Sequence, residues 1–233
     1  MTCKLSVVII TKNEEHNIAN AINSAKFASE VLILDSGSSD NTCQIALKMG
    51  ARVEFHEWLG YGKQKNKAVD LALNDWVMVI DADEIITPEL KFEILETLDK
   101  PNFRGLLVPR LSSFFGKEIR YCGLYPDYSI RIFNKQYGKF KEMSVHESVV
   151  IDGRVLKLKN HLKHNAYLTV AEFLTKQKVY ATLSGKDKRL LKAILSPIWV
   201  FVKIFIIKLG FLEGWRGFVI AYVYARYTFW KYY

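Results

Sequence analysis

Cysteine is scarce and scattered in this chain of 233 residues. Its three cysteines, Cys3, Cys43 and Cys122, are odd in number and show no C-x-x-C spacing. The pattern argues against a disulfide framework and against a zinc knuckle, and it fits a reducing, cytoplasmic setting. The first apolar run, LSVVII, is followed at once by TKNEE. We therefore expect a strand at this point and no signal peptide.

Long uncharged apolar runs are also absent. Half the chain is hydrophobic, yet no such run reaches the roughly 20 residues that a transmembrane helix requires. The pattern G-x-x-x-x-G-K-[ST] does not occur, which excludes a P-loop ATPase, and GYGKQK does not fit G-x-G-x-x-G. The composition instead supports a substantial core, in one large domain or a domain with an appendage.

Acidic residues are few near the end of the sequence. Residues 181–233 hold nine Lys or Arg against two acidic residues, and residues 199–233 hold thirteen of the thirty-one aromatics. Aromatic and basic residues together are typical of a membrane–water interface. We predict helices lying peripherally on the inner face of the cytoplasmic membrane, attracted to anionic lipid. The alternative is a helical hairpin packed on the rest of the protein or on a second subunit. No nucleic acid partner is expected, because the basic residues alternate with large apolar ones.

Strands and helices alternate up to about residue 111. The apolar runs LSVVII, VLIL, RVEF, WVMVI and GLLVPRL are separated by stretches of helical spacing. Gly50 ends a helix predicted over 41–49, and Thr87 precedes Pro88 as an N-cap. Strands that are apolar throughout and joined by helices predict an α/β fold whose mainly parallel sheet is covered on both faces. Ligands of such sheets bind beyond the carboxyl ends of the strands.

The pattern changes twice after residue 111. Residues 112–167 are irregular, with SIRIF and ESVVIDGRVLKLKN as strands and a turn at Asp152-Gly153, which predicts a small antiparallel part. Residues 168–233 are predicted to be helical, with breaks near Ser184, at Pro197 and near Gly210. We therefore divide the chain into three parts: 1–111, 112–167 and 168–233.

The stretch WVMVIDADE places carboxylates at the end of an apolar strand. Asp81 and Asp83 are alternate residues, so their side chains share a face. Two carboxylates at one point favour Mg²⁺ or Mn²⁺, with phosphate oxygens completing the coordination. The alternative is a solvated turn, because D-x-D also occurs by chance. An EF-hand is excluded, since Ile86 stands where that loop requires glycine.

Two further polar segments follow strands and are candidates for binding a nucleoside. An aspartate accepts hydrogen bonds from a base imide or a ribose hydroxyl, and Gly37 allows close backbone approach. The alternative for Asn13, as for Ser38 and Asp40, is helix capping. Lys63, at a helix start, is a candidate phosphate contact, whereas Lys65 and Lys67 are interpreted as a solvated face. The nucleoside candidates are Thr11, Asn13, Glu14 and Asp35.

The segments VVIITKNEE, LILDSGSSDNT, GYGKQKNKAV and VIDADE, in that order, resemble family 2 glycosyltransferases of the GT-A fold over residues 4 to about 110. The resemblance implies a nucleotide-sugar donor, a divalent metal at the D-x-D and transfer with inversion. By motif, it assigns the nucleoside to Thr11, Asn13, Glu14 and Asp35, and the diphosphate and metal to Asp81 and Asp83. It also implies a Rossmann-like nucleotide-sugar-binding half over 1–111, an acceptor-binding part over 112–167 and membrane-associating amphipathic helices over 168–233.

An inverting transfer requires a base for the acceptor hydroxyl, apart from the metal pair. The candidates are Glu147 and Asp127. We prefer Glu147, because His146 and the strand that follows can hold it in place. Asp127 is the candidate for pairing with Arg131 or Arg120 instead. His164, in an H-x-x-H spacing with His161, is interpreted as structural, with metal or phosphate contact as the alternative.

The segments YCGLYPDYSIRIFNK, SVHESVVIDGRV and LKNHLKHNAY, with the apolar and basic tail, resemble small glucosyltransferases of bacterial lipopolysaccharide inner-core assembly. This resemblance implies transfer of a hexose, glucose from UDP-glucose, to a lipopolysaccharide-core or related lipid-linked acceptor. The alternatives are an ADP-heptose-using core transferase, a polyprenyl-phosphate glycosyltransferase and a non-catalytic nucleotide-sugar-binding scaffold.

Overall fold

The computed structural model describes residues 3–100, 102–141, 148–184 and 190–233. The chain forms two compact units. The first comprises Met1–Arg110 and Tyr128–His164, and the second comprises Leu111–Asp127 and Asn165–Tyr233. Three strands run from one unit into the other: β6 (Gly105–Phe114), β8 (Asp127–Asn134) and β12 (Leu162–Tyr167).

Strands and helices alternate in the first unit as the sequence predicts. The helices are α1 (Ile18–Ala25), α2 (Thr42–Lys48), α3 (Tyr61–Leu71) and α4 (Pro88–Leu98). The remaining strands are β1 (Cys3–Thr11), β2 (Ala28–Asp35), β3 (Arg52–Phe55), β4 (Trp76–Asp81), β5 (Glu84–Ile86), β9 (Gly138–Phe140), β10 (Val149–Ile151) and β11 (Val155–Lys157). The Thr87 side chain caps α4 by accepting from the Leu90 amide, with Pro88 in the first turn, so that predicted helix start is confirmed.

The sheet of this unit runs in the order β3-β2-β1-β4-β8-β6-β12-β5, and its first four strands are parallel. The register brings three strand ends together. Thr11 of β1 pairs with Asp35 of β2, and Ile10 pairs with Asp81 of β4. The polar residues that follow these strands therefore lie along one edge of the sheet, where parallel sheets bind ligands.

Apolar side chains cover both faces of the parallel strands. Val7, Ile9 and Ile80 belong to a cluster with residues of α1 and α4. Val8 and Val79 belong to a second cluster with residues of α3. Alternate residues of a strand point to opposite faces, so a sheet buried on both sides needs strands that are apolar at every position. The buried strands hold the polar edge rigidly.

The antiparallel part differs from the sequence expectation. β10 and β11 flank Asp152 and Gly153, but they do not pair with each other. β10 pairs antiparallel with β9, whereas β11 pairs parallel with β6. The predicted hairpin is therefore wrong. A hairpin of two three-residue strands would be marginal by itself, whereas pairing with β6 adds β11 to a large sheet.

The second unit is mainly helical. It contains β7 (Lys117–Glu118), α5 (Val170–Leu183), α6 (Leu190–Val202), a π-helical turn (Lys203–Ile207), a 3-10 turn (Gly210–Glu213) and α7 (Trp215–Tyr232). Its core joins Phe114, Ile119 and Cys122 to Phe173 of α5 and Val223 of α7. None of the described helices carries an apolar stretch long enough to span a bilayer.

The helix breaks predicted near Ser184 and Gly210 are confirmed, because α5 ends at Leu183 and a 3-10 turn starts at Gly210. The break predicted at Pro197 is wrong, since α6 continues through this residue. Proline removes one helical hydrogen bond, and the extensive packing of α6 on α7 holds the helix through that loss.

Candidate active site

The first strand ends in a buried hydroxyl. Thr11 is 6% exposed, and its carbonyl oxygen accepts a hydrogen bond from the Ser36 amide at 3.0 Å. Within the described part of the chain, its side-chain oxygen Oγ1 has no hydrogen-bond partner. A buried hydroxyl without a partner carries a desolvation cost. The predicted contact of Thr11 with a nucleoside stays a prediction.

The Asp35 carboxylate organises the loop after β2. Its Oδ2 accepts from the amides of Gly37 and Ser38 at 2.8 and 2.9 Å, and its Oδ1 accepts from the Ser38 hydroxyl at 2.5 Å. Gly37 has φ of 87°, in the left-handed region that glycine adopts easily. Asp35 thus shapes a tight loop, and its predicted contact with a nucleoside stays a prediction.

Asn13 and Glu14 link the ends of the first two strands. The Asn13 amide donates to the Ser38 hydroxyl at 2.8 Å, and the Ser39 amide donates to Asn13 Oδ1 at 2.8 Å. The Glu14 amide donates to Thr42 Oγ1 at 2.8 Å. These bonds hold the β1 and β2 loops together, so both residues contribute to the shape of the polar edge.

Lys65 of α3 lies in the interior and contacts the D-x-D motif. Its side chain is 3% exposed, and its Nζ is 2.9 Å from Asp81 Oδ1. Ala68 and Val69 are buried with it, at the three- and four-residue spacing of one helix face. The interpretation of Lys65 as part of a solvated face is therefore wrong. The spacing of Lys65 from the apolar Ala68 and Val69 could have indicated its burial. Lys63 is exposed on the same helix.

Two arginines and a buried glutamate complete the cluster. Arg131 of β8 lies 3.6 Å from Asp81 Oδ2 and 2.5 Å from Glu84 Oε1. Glu84 is fully buried, accepts from the Asp81 amide at 3.0 Å and lies 3.6 Å from Arg110. The sequence analysis did not select Glu84 or Arg110. Glu84 belongs to the motif DADE and is followed by Ile85 and Ile86. This apolar context could have indicated that its carboxylate is buried.

Charge pairing sets the protonation of these carboxyls. Burial opposes ionisation of Asp81, but the Lys65 ammonium and the Arg131 guanidinium outweigh it and hold the pKa of Asp81 well below its usual range. Burial raises the pKa of Glu84, and the Asp81 carboxylate adds to this, while Arg131 acts against it. Asp81 is therefore held as an anion between two cations.

Asp83 lies beside a histidine. Its Oδ2 is 3.4 Å from His164 Nε2, and both side chains are partly exposed. Among the described residues, no group of three or more His, Cys, Asp or Glu side chains is arranged to hold a metal ion. Mg²⁺ usually takes one or two protein ligands and completes its shell with phosphate oxygens and water. Asp83 and His164 fit such a site, whereas Asp81 already pairs with Lys65 and Arg131.

The first 150 residues match a known family. The family model for glycosyl transferase family 2 matches residues 6–149. The match covers more than half of the chain and includes the residues of the polar edge. The chain belongs to glycosyltransferase family 2. It is therefore an enzyme of the transferase class, as the sequence motifs implied.

Relatives in this family extend over nearly the whole chain. An uncharacterized glycosyltransferase of Rickettsia typhi is 33% identical over 95% of this chain and 83% of its own length. A lipopolysaccharide core biosynthesis glycosyltransferase, LpsC of Rhizobium meliloti, is 30% identical over 97% of this chain and 89% of its own length. The similarity to LpsC thus includes the helical second unit as well as the family 2 region.

Solved structures support the fold. S. aureus TarS is 20% identical over 91% of this chain and 46% of its own, with a TM-score of 0.53. TarS 1–349 in complex with UDP-GlcNAc is 18% identical over 99% of this chain and 89% of its own, with a TM-score of 0.52. These likenesses confirm the predicted α/β fold of the GT-A type.

The structure brings six predicted family 2 site residues to one edge: Thr11, Asn13, Glu14, Asp35, Asp81 and Asp83. The preferred base, Glu147, lies outside the described residues. Asp127 is exposed and belongs to the second unit. Arg131 contacts Asp81 and Glu84. Both base assignments stay predictions.

Proposed function

We propose that this family 2 enzyme transfers a hexose with inversion from a UDP-sugar, with UDP-glucose as the donor, to a lipopolysaccharide-core or related lipid-linked acceptor, and that the transfer depends on Mg²⁺ or Mn²⁺. The observation that carries the proposal is the cluster at the end of β4. There Asp81 lies between Lys65 and Arg131, and Asp83 lies beside His164.

The balance of charge supports a donor that carries a diphosphate. Contacts of 2.5 to 3.6 Å join Asp81 and Glu84 to three cations, Lys65, Arg110 and Arg131. With Asp83, which lies 3.4 Å from His164, the edge holds three carboxylates and these three cations. A nucleotide diphosphate would add two negative charges, which a divalent cation neutralises. Buried charge is costly unless it is paired. This edge therefore favours the diphosphate and the cation together.

Asp83 and His164 would hold the metal. A bound divalent cation stabilises the negative charge that develops on the leaving diphosphate. The protein supplies cations to the same region, because Lys65 and Arg131 are fixed by Asp81 and are oriented before the donor arrives. Preorganised charge of this kind stabilises a transition state without reorganisation. Thr11 and Asp35 would receive the nucleoside.

The acceptor is inferred from two features. The similarity to LpsC, a lipopolysaccharide core biosynthesis glycosyltransferase, includes 97% of this chain, so it extends to the second unit. The second unit also exposes large apolar residues, among them Ile198, Trp199 and Phe218. Such a surface suits an enzyme that works peripherally at the inner face of the cytoplasmic membrane on a lipid-anchored substrate.

Sugar transfer from a labelled donor tests this function. Purified protein is given UDP-glucose or ADP-heptose with a truncated lipopolysaccharide that ends in core heptose, with Mn²⁺ or with EDTA. We expect glucose transfer that EDTA abolishes, and a β-linked product from the α-linked donor. Transfer of heptose alone, or transfer that EDTA does not affect, would contradict the proposal.

Replacement of the candidate base separates a glycan acceptor from a polyprenyl phosphate. A hydroxyl acceptor must lose a proton during attack, whereas a phosphate acceptor is already an anion. We expect Glu147→Gln to lower kcat about a thousandfold while KM for the donor changes little. Asp127→Asn serves as the comparison. Full turnover in Glu147→Gln would exclude Glu147 as the base.

A further inference from the structure

A groove with an almost wholly apolar lining lies within the second unit, between α6 and α7. Its volume is about 410 Å³, which falls in the range of about 300–1,000 Å³ common for small-molecule sites. Arg226 is the one charged residue among those that line it. The lining residues are Pro197, Ile198, Phe201, Val202, Tyr222, Ala225, Arg226 and Phe229.

The helix beside the groove exposes an apolar stripe. Its residues recur at intervals of three and four, which places them on one face of α6. In most globular proteins such a stripe faces the core, whereas here Leu191 is 72% exposed and Trp199 is 59% exposed. A contiguous apolar face of this kind marks an interaction surface. We define the stripe as Leu191, Ile194, Leu195, Ile198, Trp199 and Val202.

The segment that contains the two helices of the groove carries charge of mostly one sign. Residues 190–233 contain six Lys or Arg and a single acidic side chain, Glu213. Glu213 is 5% exposed and accepts from Lys117 and from the amides of Arg120 and Tyr121. The surface of this region therefore presents cations and no carboxylate. Such a surface attracts an anionic partner and repels a second copy of itself.

Arg226 combines the two properties at the groove. Its Nη1 donates to the Tyr222 hydroxyl at 3.0 Å, and its guanidinium lies over the rings of Tyr222 and Trp230, 5.9 and 5.0 Å from their centroids. Arginine held among Tyr and Trp rings is the composition of a membrane interface. A guanidinium is also well suited to bind a phosphate.

We propose that the groove between α6 and α7 takes one acyl chain of an anionic membrane phospholipid, with Arg226 on the headgroup phosphate and the stripe against the bilayer surface. The inference rests on the peripheral membrane location in the proposed function and adds a specific lipid site to it. A glycan occupant is disfavoured, because hydroxyl groups would meet an apolar lining with one cation.

Photolabelling from a lipid acyl chain tests the site. The protein is mixed with vesicles of phosphatidylcholine and phosphatidylglycerol, in which the phosphatidylglycerol carries a diazirine on one acyl chain. Labelled peptides are then mapped. We expect label concentrated in residues 197–202 and 222–229. Label spread evenly along the stripe would show adsorption without groove insertion and would overturn the proposal.

A groove-filling variant provides the matched comparison. Ala225→Phe occupies the groove, whereas Leu191→Phe adds an aromatic ring to the stripe outside it. We expect Ala225→Phe to reduce groove labelling about tenfold while sedimentation with the vesicles is retained, and Leu191→Phe to change neither. Equal labelling of the two variants would contradict the proposal.

Arg226→Gln, which leaves the lining apolar, is the second variant in case Ala225→Phe does not fold. It should remove the preference for labelled phosphatidylglycerol over labelled phosphatidylcholine.

Two controls separate this inference from the proposed function. If the protein sediments with vesicles but the groove is unlabelled, the groove site is wrong and the membrane location stands. If the protein does not sediment with vesicles, both the location and the groove site fail. Glucose transfer to a soluble core oligosaccharide, measured without vesicles, reports on the transfer reaction independently of either result.

Discussion

At the scale of single residues, pairing of opposite charges governs the polar edge. Asp81 is one carboxylate of the D-x-D, yet its oxygens lie against Lys65 and Arg131. Asp83 instead faces His164. The two carboxylates thus differ in their partners: Asp81 pairs with two cations, and Asp83, beside a histidine, stays a candidate metal ligand. This division could not be derived from the motif, because alternate residues of an extended segment are expected to share one face, whereas β4 ends at Asp81 and residues 82 and 83 form a turn.

Replacing Lys65 tests the buried pair. We expect Lys65→Met to lower the free energy of unfolding by about 2 kcal/mol. This loss lies between those typical of exposed and of buried ion pairs, because Lys65 is buried and Asp81 is partly exposed. Lys67→Met, on the same helix, should change it by less than about 0.5 kcal/mol. Urea denaturation gives both values. In a double-mutant cycle with Asp81→Asn, purely additive effects would show that the pair is not coupled.

Replacing Thr11 tests the unpartnered hydroxyl. Thr11→Val removes a buried polar atom and keeps the shape, so the stability without nucleotide should stay equal or rise. Affinity for UDP should fall about tenfold, because the bound UDP would lose the Thr11 hydroxyl as a hydrogen-bond partner. Thr11→Ser keeps the hydroxyl and serves as the control. Titration calorimetry measures the affinities, and unchanged UDP binding by Thr11→Val would exclude this contact.

At the scale of elements, the parallel strands were predictable and the later strands were not. WVMVI is apolar at every position and LSVVII at every position but Ser6, which identifies strands buried on both faces. β10 and β11 are too short to specify partners: β10 pairs with the preceding strand β9 and β11 with the distant β6, and not with each other across their turn. The burial and charge pairing of Lys65 and Glu84 were not predicted, for a related reason. Their partners come from other elements, so local spacing alone does not show that a charge is buried and paired.

Close packing between the 3-10 turn and α7 gives a stability prediction. A Cβ at Gly217 would overlap the carbonyl oxygen of Gly210. We expect Gly217→Ala to lower the free energy of unfolding by more than about 3 kcal/mol. Gly116→Ala is the matched control, because φ is 77° but no atom lies within 4 Å of the added Cβ. Its cost should be about 1 kcal/mol. Thermal unfolding measures both variants, and an equal loss of stability in Gly217→Ala and Gly116→Ala would contradict the packing argument.

Glu213 makes the second unit sensitive to acid. Burial raises its pKa, but hydrogen bonds from Lys117 and from two backbone amides outweigh burial, so the pKa lies below its ordinary value. A lowered folded-state pKa gives stability that is present above the unfolded value of about 4.3 and is lost as the pH falls through the folded value. Urea unfolding from neutral pH to about pH 3 should show a shallower acid loss in Glu213→Gln. If the free energy of unfolding falls equally with pH in the unmodified protein and in Glu213→Gln, Glu213 does not contribute to the acid sensitivity.

At the scale of the whole molecule, sequence identified the enzyme family better than it identified the site's internal contacts. The three strand-end motifs lie in one register at one edge, and the family follows from them. Substrate recognition depends on side chains contributed by several elements, and Glu147 lies outside the described residues. Composition indicated an aromatic and basic tail over residues 199–233, whereas the exposed stripe of α6 and the groove beside it emerge only from the structure.

The most direct test of the account is the metal dependence of UDP binding. Titration calorimetry compares UDP with GDP and ADP, with and without Mn²⁺, for the unmodified protein and for Asp83→Asn of equal thermal stability. We predict that Mn²⁺ tightens UDP binding at least about tenfold in the unmodified protein, that Asp83→Asn loses this gain, and that GDP and ADP bind more weakly. UDP binding that is independent of Mn²⁺, or an Asp83→Asn variant with unchanged dependence, would contradict the assignment of the site.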